Sequence, residues 1–374
     1  LELRGSDATI GGGGNTTTGI VTIGAVVGSA STGNVSISAG TTGVGAIKLG
    51  SSVASAGTID FDTAVTLTAN SALTGANVNF DSTVNGAFGL TINASVLTEF
   101  TGVVGGTTPL TSLTTDAPGT VKFNVADVKS TGAQTFNDAA KLNAATVTFT
   151  SSASGEITFG STVDNFDGTA RALAVTTAGR TVFAGAVGGG ANLTSVTTDS
   201  LGSTAVKTSS IKATTQTYND DVTLGANATI DGTTLTFAKK VDADLAANNR
   251  TLTITTATAT TFGSTIGTSA QLSSLTTSSA GPTTLKGNVS ATTQVYKGAT
   301  KLGANSIMTG SVVTFESTLD GDTANTRTLT ITADGATTFG AAVGNSHLWQ
   351  SGDPFDVGQD VVQQRRRRGW EHLV

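Results

Sequence analysis

The chain repeats itself, and this repeat limits the folds it can adopt more than any other feature. Three related segments, LTSLTTDAPG, LTSVTTDSLG and LSSLTTSSAG, begin at Leu110, Leu193 and Leu272. The segments GAQTFNDA, TTQTYNDD and TTQVYKGA recur with nearly the same spacing. Both landmarks give a long period of about 80 residues, which is typical of repeat architectures.

A shorter period lies inside the long one. An aromatic residue followed four positions later by a mostly aliphatic residue occurs twelve times, at Phe61, Phe80, Phe100, Phe136, Phe159, Phe183, Tyr218, Phe237, Phe262, Tyr296, Phe315 and Phe339. Most steps between neighbours are 19 to 25 residues, and each step near 35 contains one LTSLTT-type segment that can form a coil of its own. The spacing predicts about 20 residues per coil and four coils per long repeat.

A turn of about 20 residues matches one coil of a β-helix, in which each strand stacks on its equivalent at roughly 4.8 Å. An apolar residue two positions before the aromatic, as in Ile157-Thr158-Phe159, points to the same face of a strand. Glycine is abundant, at 47 of 374 residues, and charged residues make up only 12%, which favours short strands separated by turns. The sequence therefore predicts an all-β fold, a β-solenoid of the parallel β-helix type, with the twelve aromatic residues as its structural core ladder.

Three regions differ in how closely they follow the pattern. Residues 1–56 predict irregular, Gly-rich solenoid coils, and residues 57–345 predict the regular solenoid. Residues 346–374 leave the pattern and contain both histidines, both tryptophans and four consecutive arginines, so we expect an aberrant or disordered tail. Because the chain begins at Leu1 and its only methionine is Met308, we expect it to be an internal fragment.

The tandem segments TTFGAAVG and LTSLTTDA and those like AQTYND resemble the repeats of large bacterial exoproteins of the filamentous-haemagglutinin and autotransporter-adhesin type. The resemblance covers roughly residues 57–344. It implies a right-handed parallel β-helix, secretion across the outer membrane, and a structural stalk segment of a large adhesin at the bacterial cell surface or outside the cell. Any receptor or polysaccharide would then be bound by other parts of the parent protein.

Composition argues against several kinds of chemistry. The chain has no cysteine, so disulfides and thiolate metal sites are excluded. A net charge of -6 disfavours a nucleic-acid partner, and no apolar run reaches membrane-spanning length. The only histidines, His347 and His372, lie in the tail, which excludes a Ser–His pair within the solenoid. We expect no enzyme activity, no catalytic residue, no cofactor and no metal.

Paired carboxylates leave an alternative open, because carbohydrate-active β-helix enzymes use paired acids with a base on one face. At predicted corners Asp and Asn usually stabilise turns through their own backbone, and calcium coordination or catalysis would be the less ordinary uses. An enzyme would show acids and a base converging across neighbouring coils. The pairs are Asp60 with Asp62, Asp220 with Asp221, and Asp320 with Asp322.

Two further alternatives concern the whole fold and its surface. A row of immunoglobulin-like domains would also repeat every 80 residues or so, but the 20-residue period argues against it. Outward threonines at 251–255 and 328–332 could form flat hydroxyl arrays like those of ice-binding solenoids. The equivalent position in an earlier repeat is Ala174, which favours an ordinary solvated strand surface.

Overall fold

The structure, a computed structural model, describes residues 8–12, 20–28, 33–39, 45–323, 326–344 and 362–365. It is all-β with about 1% helix, and its parallel strands stack into a β-solenoid of about 14 turns with roughly 21 residues per coil. This confirms the predicted fold class and excludes the row of immunoglobulin-like domains. The chain divides into two compact units, Leu1–Thr194 (unit 1) and Ser195–Val374 (unit 2).

Unit 1 consists of short strands joined by turns. They are β1 Ala8–Gly12, β2 Ile20–Ile23, β3 Val27–Gly28, β4 Val35–Ala39, β5 Ala46–Leu49, β6 Val53–Ala54, β7 Thr58–Phe61, β8 Ala64–Leu67, β9 Ser71–Phe80, β10 Val84–Asn85, β11 Gly89–Phe100, β12 Ser112–Thr115, β13 Thr120–Phe123, β14 Asp127–Ser130, β15 Gln134–Phe136, β16 Ala139–Leu142, β17 Thr146–Ser151, β18 Ile157–Phe159, β19 Val163–Asn165, β20 Ala172–Thr177 and β21 Arg180–Phe183. Strand β22, Leu193–Thr198, contains the boundary between the units.

The strands of unit 1 form three parallel stacks, which the chain visits in turn. Face 1 contains β2, β5, β8, β10, β14, β17 and β20. Face 2 contains β3, β6, the first halves of β9 and β11, then β12, β15, β18 and β21. Face 3 contains β1, β4, β7, the second halves of β9 and β11, then β13, β16 and β19.

Unit 2 is built in the same way. Its strands are β23 Ser203–Val206, β24 Ser210–Tyr218, β25 Asp221–Leu224, β26 Ala228–Phe237, β27 Val241–Ala243, β28 Thr251–Phe262, β29 Leu272–Ser279, β30 Thr283–Leu285, β31 Val289–Tyr296, β32 Thr300–Leu302, β33 Ser306–Gly310, β34 Val312–Phe315, β35 Leu319–Gly321, β36 Leu329–Ala333, β37 Thr337–Phe339 and β38 Val362–Arg365. One 3-10 helix, Ala246–Asn248, interrupts them.

Three stacks again account for the pairing in unit 2. Face 4 contains β23, β25, β27, the start of β31, β33, β36 and β38. Face 5 contains the first halves of β24, β26 and β28, then β29, the end of β31, β34 and β37. Face 6 contains the second halves of β24, β26 and β28, then β30, β32 and β35.

Alternation along each strand builds the core. In β7 the side chains of Ile59 and Phe61 are buried, whereas Thr58 and Asp60 are partly exposed. Because paired residues share a face, each inward position continues as a column of buried side chains through the stack. The strands bury apolar surface only against their neighbours along the stack and across the interior, which is why one coil could not fold alone.

A recurring glycine fixes one of the corners. Gly105, Gly188, Gly267 and Gly344 each lie five residues after an aromatic residue and have φ between 64° and 71°. This left-handed conformation is open to glycine and costly for residues with a Cβ atom. A Cβ atom on Gly267 would also collide with the carbonyl oxygen of Ser290 in the next coil. The sequence therefore needs glycine at this position in each repeat.

The ends of the chain match the predicted regions only in part. Strands β1 to β6 place solenoid coils within residues 1–56. Most of the predicted tail, residues 346–374, lies outside the described residues, so its predicted disorder stays a prediction. Within it, Val362–Arg365 forms a strand that pairs in parallel with Leu329–Thr332 of β36.

Candidate functional site

The predicted aromatic ladder is the most distinctive side-chain arrangement, and in unit 1 it forms two columns. Phe61, Phe80 and Phe100 are paired in register on face 3, with ring centroids 5.0 and 5.1 Å apart. The column continues to Phe123, whose ring lies 5.8 Å from that of Phe100, and then to Leu142. All four phenylalanine rings are fully buried.

The second column lies on face 2. Phe136, Phe159 and Phe183 are in register there, with centroids 5.6 Å apart at both steps. The residue before Phe136 in this column is Thr115, not Phe100. The step from Phe100 to Phe136, expected to continue one ladder, is therefore a change of face.

Two phenylalanines that the sequence pattern omits connect these columns. Phe123 on face 3 and Phe149 on face 1 make edge contacts with Phe136, at 5.3 and 5.1 Å between centroids. Phe149 also contacts Phe123 at 5.0 Å and Phe159 at 5.1 Å. The aromatic core thus crosses the interior where the column changes face.

Unit 2 repeats the arrangement. Tyr218, Phe237 and Phe262 stack on face 6 with centroids 5.1 and 5.2 Å apart, and the column continues to Leu285. The remaining members of the ladder, Tyr296, Phe315 and Phe339, stack on face 5 with ring centroids 4.9 and 5.5 Å apart. The residue before Tyr296 in this column is Thr277. Phe339 is only half-buried, whereas the other eleven predicted members are fully buried.

The change of face follows from the length of the repeat. Phe237 on face 6 and its equivalent Phe315 on face 5 are 78 residues apart. With roughly 21 residues per coil, 78 residues make about 3.7 coils, one strand short of four. The sequence predicted four coils per repeat, whereas the structure has three coils and two further strands. Equivalent residues of successive repeats therefore lie one face apart.

A buried glutamine lies at the start of three of the four aromatic columns. Gln134, Gln216 and Gln294 are fully buried two residues before the first aromatic of a column. The Gln216 Nε2 donates a hydrogen bond to the Asp231 carbonyl at 2.7 Å. Equivalent bonds run from Gln134 to the Thr150 carbonyl at 2.8 Å, and from Gln294 to the Thr309 carbonyl at 3.0 Å. Each glutamine thus ties its own coil to the next.

The glutamine oxygen has a partner in two of these three cases. The Tyr218 hydroxyl donates to Gln216 Oε1 at 2.9 Å, and the Tyr296 hydroxyl to Gln294 Oε1 at 3.0 Å. In unit 1 the aromatic is Phe136, which has no hydroxyl, and within the described part of the chain the Gln134 Oε1 has no hydrogen-bond partner.

A buried aspartate lies at the corner just after two of these three aromatics. In unit 2 the Asp220 carboxylate, 1% exposed, accepts hydrogen bonds from the hydroxyls of Thr198 at 2.8 Å and Thr204 at 2.9 Å. At the next corner Gly298 replaces the aspartate, and the Thr283 hydroxyl donates directly to Thr277 at 3.3 Å.

The unit 1 version of this corner lacks one of those two donors. Asp138 is 2% exposed, and neither carboxyl oxygen has a hydrogen-bond partner among the described residues. The position equivalent to Thr204 is Val121, which has no hydroxyl. Burial raises the pKa of the Asp138 carboxyl to about 6, and burial likewise raises that of Asp220 to about 6.

The paired acids predicted at corners have three different environments. Asp220 faces the interior, whereas its neighbour Asp221 lies 3.9 Å from the Lys240 ammonium. Asp320 lies within strand β35, paired with Lys301, and its Oδ1 accepts a hydrogen bond from the Gly321 amide at 2.9 Å. Asp322 forms an ion pair with Arg327 at 2.6 Å.

Asp60 and Asp62 gain a third acid from the next coil. A carboxylate oxygen of each lies within 4.8 Å of one from Asp81. Burial, followed by the charges of Asp81 and Asp62, raises the pKa of Asp60. Glu99 follows two coils on in the same outward column as Asp60, but it pairs with Lys122 at 2.9 Å. Oxygen ligands of this kind suit calcium, yet three exposed or partly exposed carboxylates are also ordinary surface groups.

Loops held by acid–arginine pairs recur at repeat spacing. Arg171 pairs with Asp167, at 3.3 Å, and Arg250 pairs through two nitrogens with Asp244, both at 2.8 Å. The Arg250 guanidinium lowers the pKa of Asp244 well below its usual range. These loops close at corners where a strand leaves one face and the next strand begins another.

Outward threonines do line up on face 5. Thr229, Thr253 and Thr276 are paired in register, and the column continues through Val295 to Thr314. These side chains are partly exposed, and no acidic or basic residue occupies the column between Thr229 and Thr314.

Comparison with known proteins adds no identity. No protein-family model matches the chain, and searches of curated proteins and of solved structures gave no significant match. In the described part of the chain, no helix has the length and apolar character needed to cross a membrane.

Proposed function

We propose that the chain is a structural stalk segment of a large bacterial adhesin, secreted or held at the cell surface. The supporting observation is the continuous core: stacked aromatic and aliphatic columns on parallel faces, tied between coils by buried glutamines. Such a stack gains length by adding equivalent coils, which is how solenoids form elongated supports. The sequence resemblance to filamentous-haemagglutinin-type repeats supplies the proposed bacterial and extracellular setting.

The burial of the aromatic side chains favours a structural role for this segment over a ligand-binding role. Among the described residues, the large hydrophobic side chains that are well exposed include a single aromatic one, Phe166, at 49%. Its ring lies 4.0 Å from the Lys122 ammonium, so part of its surface is already used within the molecule. Receptor recognition is therefore assigned to other parts of the parent protein, with no nucleic-acid partner and no membrane insertion by this segment.

Accessibility on intact source cells tests this proposal. Antibodies raised against the folded chain should label unpermeabilised cells or the culture medium, and added protease should remove the label. Labelling that requires permeabilisation would contradict the surface setting. The absence of cysteine allows single introduced cysteines, for example at Thr236, to be labelled with a membrane-impermeant reagent as an independent check.

A carbohydrate-active enzyme is the second candidate, and the acids on unit 1 are the observation in its favour. Asp60, Asp62 and Asp81 lie together, and Glu99 with Lys122 follows along the same outward column. The lysine is already paired with Glu99, which leaves the three aspartates without an adjacent base. A polysaccharide screen in which Asp60→Asn abolishes product release, while Asp127→Asn does not, would favour the enzyme over the stalk.

A further inference from the structure

The corner around Asp138 carries an inference independent of the proposed function. We propose that this corner is a pH-responsive element, closed when the Asp138 carboxyl is protonated and opened more readily when it is ionised. It would make the coils between β12 and β16 the part of unit 1 that responds to mild acid.

The geometry leaves the ionised carboxylate without support. Asp138 lies between β15 and β16 and is 2% exposed, with no hydrogen-bond donor to either oxygen among the described residues. The Thr115 hydroxyl, at the position equivalent to Thr198, lies beside the carboxyl and lowers its pKa in part, but it does not reach hydrogen-bonding geometry with either oxygen. Gly119 packs so closely that a Cβ atom there would be 2.7 Å from Asp138 Oδ1. An ionised carboxylate in such a site keeps its desolvation cost without compensating bonds.

The surrounding charges do not supply a counter-ion. The turn between β12 and β13 contributes Asp116, whose negative charge opposes ionisation of Asp138. The turn between β18 and β19, residues 160–162, contains no ionisable side chain. The lysines of the packed strands are outward and paired elsewhere: Lys122 with Glu99, and Lys141 with Asp164.

The other repeats show the same corner with hydrogen-bond donors to the carboxylate, or without a carboxylate. Asp220 has hydroxyl donors from Thr198 and Thr204, and the third corner dispenses with the carboxylate by using Gly298. Only at Asp138 is the carboxylate present while Val121 replaces one of the threonines. The unsupported carboxylate is therefore a local feature of unit 1 and not a requirement of the fold.

The direction of the pH effect follows from the raised pKa of about 6 in the closed state, compared with a value near 4 when the corner is open. Between these values the closed state holds a proton that the open state releases, so opening becomes rarer as the pH falls. Above about pH 6 both states are ionised and the effect levels off. Acidification from pH 7 to pH 5 should therefore reduce the opening constant of this corner about tenfold.

Hydrogen exchange on the full chain measures this directly. Amides within residues 113–142 should show, after correction for intrinsic exchange rates, about tenfold less opening at pH 5 than at pH 7. Residues 275–302 serve as an internal reference, because their corner contains Gly298. Equal opening of residues 113–142 at the two pH values would overturn the proposal.

Three variants separate the carboxyl from a general effect of acid. Asp138→Asn should remove the pH dependence of residues 113–142, and Asp138→Gly, which copies Gly298 of the third corner, should remove it as well. Asp220→Asn, in unit 2, should leave it unchanged. If Asp138→Asn does not fold, Asp138→Gly decides: an undiminished tenfold dependence in either Asp138 variant contradicts the assignment to Asp138.

Discussion

The corner that follows Gln134 and the corner that follows Gln216 have the same backbone and different polar chemistry. At Gln216 the side-chain oxygen receives the Tyr218 hydroxyl, and the Asp220 carboxylate receives two threonine hydroxyls. At Gln134 the aromatic is Phe136, which has no hydroxyl, and no other described residue donates to the glutamine oxygen. The difference shows that stacking and the glutamine-to-backbone bond are enough to form the corner, and that its other hydrogen bonds are additions.

The comparison also separates two contributions to the core. Aromatic stacking is present at both corners, with ring centroids 5.6 Å apart for Phe136 and Phe159 and 5.1 Å apart for Tyr218 and Phe237, and Phe136 has additional edge contacts. Hydrogen bonding differs, and a buried polar atom without a partner costs about 1 to 3 kcal/mol. We therefore expect the unit 1 corner to be the weaker of the two, and the following changes to test that expectation.

The largest effect should come from removing an aromatic from the middle of a column. Phe237→Ala removes a fully buried ring stacked between Tyr218 and Phe262, and should destabilise unit 2 by about 3 to 5 kcal/mol. Hydrogen exchange should show the opening concentrated in residues 218–262. Phe339→Ala is the matched control, because that ring is half-buried and its loss should cost clearly less. Equal costs for the two variants would show that column position does not govern stability.

Removing one hydroxyl should leave the glutamine oxygen of the stronger corner without a donor, as at Gln134. Tyr218→Phe keeps the ring but leaves Gln216 Oε1 buried without a donor, which should cost about 1 to 3 kcal/mol. Denaturant unfolding, with hydrogen exchange to locate the change, measures it. Tyr296→Phe is the parallel variant at the next corner and should behave alike. A cost near zero in both would mean that water or a side-chain shift satisfies the glutamine.

Adding the missing hydroxyl should strengthen the weaker corner. Phe136→Tyr places a phenol where it can donate to Gln134 Oε1, as Tyr218 does to Gln216, and should stabilise unit 1 by about 0.5 to 1.5 kcal/mol. Greater protection of the amides of β15 and β18 would report it. Phe159→Tyr is the control, since no glutamine lies two residues before it and its hydroxyl should bring no gain. Equal effects of the two tyrosines would contradict the assigned bond.

The smallest effect is expected outside the core. Arg250→Ala breaks a partly exposed, two-nitrogen ion pair with Asp244 and should lower stability only slightly, by less than Tyr218→Phe, and the loss should decrease as salt is added. The thermal unfolding temperature at low and high salt measures this. A loss of stability as large as that of Tyr218→Phe would show that this loop stabilises the solenoid as much as a buried hydrogen bond does.

Much of the fold could be read from the sequence because the inward residues carry a strong and regular signal. The spacing of Phe61, Phe80 and Phe100 predicted stacked coils, and these three rings do stack. The pattern that found them favoured an aliphatic residue four positions later, and it left out Phe123, which is followed there by Asp127, and Phe149, which is followed there by Ala153. The step of 23 residues from Phe100 to Phe123 was the available signal.

The candidate polar sites were harder to predict, because a shift of one residue at a corner decides whether a side chain points into the core or out to solvent. Asp220 and Asp221 are neighbours in sequence, yet the first is buried and the second lies beside Lys240. The approach of Asp81 to Asp60 and Asp62 depends on which residues meet across coils, information that a single coil does not contain. The glutamines were noticed as landmarks, but their role needed the carbonyl groups of the following coil.

Because the repeat is one strand short of four coils, adding or removing a repeat both shifts the following coils along the stack and rotates them about its axis. Inserting or deleting one whole repeat within unit 2 would preserve every local pairing, because equivalent strands would still meet. An inserted repeat would move the coils that follow it by about 18 Å along the stack, because it adds about 3.7 coils at roughly 4.8 Å each. It would also rotate those coils by one face. Three such duplications would bring a given loop back to its starting direction. Lengthening the gene by single repeats therefore distributes the same surface chemistry around the axis instead of along one line.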